Sequence, residues 1–215
     1  INNLNTRSID RYPGELKPYP AIPSNPPVLV PPAITALMDS PNRRVQGFLA
    51  AGHVCTVMGM SEYVPLVERY QVPIVVTGFE PLDVMQAILM LIQQVNAGRH
   101  EVENQYIRAV SADGNAIAKA EMADVFELRE RFAWRGFGAV PDGGLRLKTD
   151  YAAFDAELRF AMPELNAGDN PACECGAILR GIKRPTDCKL FGTLCTPETP
   201  MGSCMVSSEG ACAAH

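Results

Sequence analysis

The chemistry of this chain is concentrated in its sulfur. Seven cysteines occur among 215 residues, and six of them (Cys173, Cys175, Cys188, Cys195, Cys204 and Cys212) fall within the last 43. Thiolates hold zinc and iron–sulfur clusters, and they also exchange disulfides. Turn-forming residues surround them, including Gly176, Pro185, Gly192, Pro197, Gly202 and Gly210. Loops of that composition turn thiolates inward from several directions. Only Cys173-Glu174-Cys175 is a close pair, whereas zinc modules usually carry two close pairs. Wide spacing with prolines nearby suits a [4Fe–4S] cluster, which takes one thiolate at each iron. Spacing alone favours iron–sulfur and leaves open a structural zinc staple and a thiol–disulfide oxidoreductase built on Cys173 and Cys175.

Two further groups stand where chemistry is done in parallel sheets. His53 follows the apolar run Val45–Ala51, a predicted strand, through Gly52. Glu80 follows the β-branched run Val72–Thr77 through Gly78 and Phe79. Ligands of open α/β sheets bind at the carboxyl ends of strands, so both are candidate cleft residues. The duller readings are a histidine bonding backbone at a strand end and a carboxylate capping the next helix. Cys55 stands alone in an apolar stretch and reads as core. Trp134-Arg135-Gly136 is a docking or cation–π pair. Ser207-Ser208-Glu209-Gly210 is a turn whose hydroxyls and amides could tune a cluster beside Cys212.

These groups need a scaffold. Pro32–Met38 opens on two prolines and predicts a short helix. Ser61–Tyr70 predicts another. Glu80–Asn96 predicts an amphipathic helix closed by Gly98, with Leu82, Met85, Ile88, Leu89, Ile92 and Val95 on one face. Further helices are predicted over Asn115–Arg131 and Asp150–Phe160. Strand, helix, strand, helix is the order of a parallel α/β sheet, although only two core strands are evident. The expected fold is α/β: an extended arm or foreign lead over residues 1–28, a Rossmann-like domain over 29–160, and a loop-rich cysteine region over 161–215. The last region is too short and too turn-rich to hold itself by apolar burial.

Net charge is −5, from 19 basic and 24 acidic residues. That argues against nucleic-acid or anionic-membrane partners. The run Val84–Val95 contains three glutamines and is too short to span a bilayer. No secretory signal opens the chain, and the expected compartment is the reducing cytoplasm. No phosphate-binding glycine loop and no Ser-His-Asp order is present.

Several of these segments together resemble one family. They are Ala51-Gly52-His53-Val54, Val75–Asp83, Asn104-Gln105-Tyr106, Trp134-Arg135-Gly136, Phe154-Asp155-Ala156-Glu157, and the closing stretches Cys195–Gly202 and Cys204–Ala214. In this order, from about Val28 to Ala214, they resemble the C-terminal part of the HypD hydrogenase maturation factors. The resemblance implies a cytoplasmic scaffold that helps assemble the Fe(CN)2CO unit of [NiFe]-hydrogenases. It implies a HypC-like chaperone and a HypE-like cyanide donor as partners, and indirectly the hydrogenase large subunit. The family's cluster pattern Cys-x14-Cys-x6-Cys-x16-Cys falls on Cys173, Cys188, Cys195 and Cys212. Cys175 and Cys204 lie outside it, as neighbouring or spare thiols. The resemblance also favours a functional role for His53, while Glu80 stays open between a cleft residue and a helix-capping carboxylate. The family's Cys-Gly-Thr-His-Thr, Gly-Pro-Gly-Cys-Pro-Val-Cys and Gly-Phe-Glu-Thr-Thr motifs do not occur here, so the iron-binding cysteine of the first is not supplied by this sequence.

Overall fold

A computed structural model describes residues 28–134, 137–160 and 170–215. The arm expected over 1–28 lies outside these residues except for Val28, which bridges Gly144. Arg135, Gly136 and 161–169 also lie outside them.

The centre is a three-stranded parallel sheet, β1 (Phe48–Ala51), β2 (Ile74–Thr77) and β3 (Val102–Asn104), in the order β1-β2-β3. Ile74, Val75 and Val76 are fully buried. Such a run suits a strand covered on both faces, and each side chain contributes about 1.5–3 kcal/mol by leaving water. Helices α1 (Val30–Asp39), α2 (Gly52–Met58) and α3 (Val64–Tyr70) surround the sheet. Ile34, Met38, Cys55, Tyr63, Leu66, Val67 and Val72 complete its core with β1 and β2. Cys55 is core, as expected. Its thiol donates to the Tyr63 hydroxyl, and burial pushes its pKa up.

The predicted helix after β2 forms as α4 (Pro81–Ala97), with Glu80 as the residue before its first turn. Its orientation departs from the sequence reading. The stripe Asp83, Ala87 and Gln94 is buried, while Leu82, Met85, Ile88, Leu89, Ile92 and Val95 are exposed. Specific partners satisfy much of this polar inner stripe, although Gln94 Nε2 has none among the described residues. Arg108 and Gln105 donate to Asp83, and the Glu101 amide donates to Gln94.

The predicted helix over Asn115–Arg131 is cut short. Asn115 caps α5 (Ala116–Val125) by accepting from the amides of Ile117 and Ala118. Phe126 then begins β4 (Phe126–Trp134), which pairs antiparallel with β5 (Gly138–Leu147). The local residues, Glu, Leu and Arg, favour helix. Pairing with β5 and packing of α1 on β5 override that preference. The Trp134 indole N–H donates to the Gly143 carbonyl at 2.9 Å. The helix predicted over Asp150–Phe160 is a 3-10 segment, Thr149–Phe154, followed by the single turn α6 (Ala156–Arg159).

The cysteine segment contributes two short helices, α7 (Cys175–Leu179) and α8 (Ser203–Val206), and is otherwise turns. The Arg44 amide donates to the Arg180 carbonyl at 2.9 Å and ties the segment to the α/β unit. No helix among the described residues is long and apolar enough to cross a membrane.

Candidate functional site

Turns bring six thiols to one place. The Ala172 amide donates to the Asn170 side chain and the Cys173 amide to its carbonyl, which fixes the approach to Cys173. Arg184 and Asp187 cap a 3-10 turn that delivers Cys188. The Cys195 amide donates to the Leu190 carbonyl at 2.9 Å, closing a loop through Gly192. The Cys212 amide donates to the Cys204 carbonyl at 3.1 Å. Together these turns place Cys173, Cys175, Cys188, Cys195, Cys204 and Cys212 around a single pocket. Ile178, Leu190, Phe191 and Met205 supply its apolar wall.

Close approach explains one glycine here. A Cβ on Gly202 would sit on the Cys173 sulfur. The Met201 amide points at the Cys195 sulfur at 3.3 Å, and Cys175 shares a hydrogen bond with the Ser203 hydroxyl at 3.1 Å. Burial pushes the Cys173 and Cys212 thiols up, and the other pocket cysteines add to the shift. Cys204 is raised most, first by a hydrogen bond with Cys175 and then by burial. All seven cysteines are free thiols. Among the described residues, no three His, Cys, Asp or Glu side chains converge tightly enough to hold one metal ion. The thiols line walls of a pocket instead of meeting at a point.

The second candidate area follows from parallel pairing. Ala51 and Thr77 are partners in register at the ends of β1 and β2. The chain beyond each, Gly52-His53 and Gly78-Phe79-Glu80, therefore emerges side by side. The His53 and Phe79 rings lie 5.0 Å apart, centroid to centroid. A Cβ on Gly52 or on Gly78 would strike the Tyr106 ring, so both turns need glycine for clearance. Glu80 does not cap α4 with its side chain. Its carboxylate accepts from Arg108 at 3.0 Å and is 75% exposed. Arg108 also pairs with buried Asp83 and lies 4.5 Å over the Tyr106 ring. Hydrogen bonds from Arg108 and then Gln105 hold the Asp83 carboxyl down at about 2. His53 and Glu80 thus share one rim of the sheet. Asp83, Gln105, Tyr106 and Arg108 brace it and were not evident as site residues. Only Asn104-Gln105-Tyr106 drew attention in the sequence, and nothing local marks Arg108 as the partner of a residue 25 positions away.

Comparison with known proteins settles the family. Residues 24–215 match the family described as HypD, Hydrogenase formation hypA family. The chain belongs to the HypD family. It is 62% identical over 194 residues to the hydrogenase maturation factor HypD2 of Bradyrhizobium diazoefficiens, covering 87% of this chain and 51% of that protein. Identity to HypD of Rhizobium leguminosarum bv. viciae is 63% over 194 residues, with 87% and 50% covered. For Rhodobacter capsulatus HypD it is 45% over 194 residues, with 87% and 51% covered. The chain therefore spans about half the length of these HypD relatives.

Proposed function

We propose that this chain serves hydrogenase maturation as an iron–sulfur protein of the HypD type, with Cys173, Cys188, Cys195 and Cys212 as ligands of a [4Fe–4S] cluster. The observation that carries the reading is the convergence of these four cysteines, separated by up to 39 positions, on one apolar-walled pocket with sulfur clearance at Gly202. A cluster takes thiolates at four separate irons, so it suits donors spread around walls. One zinc ion needs donors about 2.3 Å from a common centre. Such a cluster supplies one-electron chemistry. The residues around it set the terms. Ile178, Leu190, Phe191 and Met205 exclude water, and the Met201 amide can donate to the Cys195 sulfur. Cys175 and Cys204 share a hydrogen bond and stand as neighbours of the proposed ligand set.

On this reading the chain works in the cytoplasm, where thiols remain reduced. The iron of the Fe(CN)2CO unit is cargo. His53 and Glu80 face it from the strand ends, with Arg108 fixing the Glu80 carboxylate. HypC-like and HypE-like proteins are the partners, and the hydrogenase large subunit is the final recipient.

The test is a set of single substitutions in the anaerobically reconstituted chain. Cys173→Ala, Cys188→Ala, Cys195→Ala and Cys212→Ala should each lose most of the cluster absorbance, while Cys175→Ala and Cys204→Ala retain it. In cells that depend on the protein, Cys188→Ala should also abolish hydrogenase activity. Full absorbance in Cys188→Ala would overturn the ligand assignment. Retained hydrogenase activity in a clusterless variant would overturn the reading that the cluster relays electrons during maturation.

A further inference from the structure

Helix α4 presents two stripes, and the described fold covers only one. Its outer row of Leu82, Met85, Ile88, Leu89, Ile92 and Val95 recurs every three or four residues and is 39–78% exposed. A monomer seldom leaves such a continuous row of large aliphatic side chains in water, and a face of this kind marks an interaction surface. No Lys or Arg occurs between Pro81 and Ala97, and the one acid there, Asp83, is buried. Nothing charged interrupts the row, so its occupant must be apolar.

A second observation concerns the sheet beside it. β1 pairs with β2 alone among the described residues, and Leu49 on β1 is 41% exposed. Parallel sheets are normally covered on both faces and continued by further strand–helix units. α4 packs on β1 as well as β2, so the bare helix face and the open strand belong to one layer. A single neighbouring unit that continues the layer covers both. A second copy docked through α4 alone would leave β1 open. About half of each relative lies outside the match, a length sufficient for such a unit.

We infer that the outer face of α4 is the seat of the other half of the HypD polypeptide, received as an aliphatic surface without charge pairs. The inference rests on family membership and does not depend on the cluster.

Carbene footprinting read by mass spectrometry tests it, on this full chain and on intact Bradyrhizobium HypD2, with sedimentation of each. The α4 peptide should be labelled strongly in this chain and several-fold less in the intact relative, with this chain sedimenting as a monomer. In this chain Leu89→Glu should leave the thermal midpoint unchanged, because the new carboxylate meets water. Equal labelling in both proteins would overturn the inference, since the other half would then not cover the face. Protection in this chain together with a dimer mass would overturn it in favour of a second copy. Iron content does not enter the readout, so a failed cluster assignment leaves this result interpretable.

Discussion

At the scale of single residues, the pocket depends on what is absent as much as on what is present. Gly202 has an ordinary extended backbone, φ −138°, so conformational freedom does not explain it. The Cys173 sulfur occupies the space a side chain would need. Gly202→Ala must therefore push the Cys173 sulfur away from its place in the pocket, and with it from the proposed ligand set. The expected outcome is an unchanged helix signal by circular dichroism with iron affinity reduced on the order of tenfold, the usual scale for disturbed ligand support. Wild-type iron retention in Gly202→Ala would show that the position of Cys173 is not fixed by this contact. That the tail cysteines act together was legible from their crowding among turn residues, whereas the choice of Cys173, Cys188, Cys195 and Cys212 among the six rests on the family pattern. Gly202 was visible only as one more turn residue, because the sequence does not say whose sulfur lies beside it.

At the scale of elements, the rim that carries Glu80 is tied together by Asp83 on α4, Arg108 after β3, and Gln105 between them. The folded Asp83 pKa is about 2, below the roughly 3.9 of an unfolded aspartate. A depressed carboxyl stabilises the fold fully above the unfolded value and loses that contribution as pH falls through the folded one. Asp83→Asn should therefore lower the thermal midpoint by several degrees at pH 7. Its deficit against the wild type should shrink between about pH 4 and pH 2, as followed by denaturation across that range. A deficit that is constant with pH would mean that the ion pair is not its source. The same helix shows how far periodicity reaches. Its length, its start at Pro81 and its end before Gly98 were legible. Which stripe is buried was not, because the burial of Asp83 and Gln94 depends on Arg108, Gln105 and the Glu101 amide, all distant in sequence. The β4–β5 hairpin was missed for a related reason. Phe126–Trp134 is locally helix-prone and becomes a strand only against Gly138–Leu147.

At the scale of the whole molecule, a small parallel sheet carries two candidate areas and an uncovered helix face. The sheet directs His53 and Glu80 to one rim, and the last 46 residues described gather six thiols into one pocket. The central claim is that this pocket holds a [4Fe–4S] cluster, and its most direct test is the metal content of the whole chain. The protein would be purified without oxygen, its absorption recorded, and iron, acid-labile sulfide and zinc determined on the same sample. The account predicts a brown protein with about four irons and four sulfides per chain and no stoichiometric zinc. A colourless protein with one zinc, or with thiols that titrate in pairs on reduction, would contradict it.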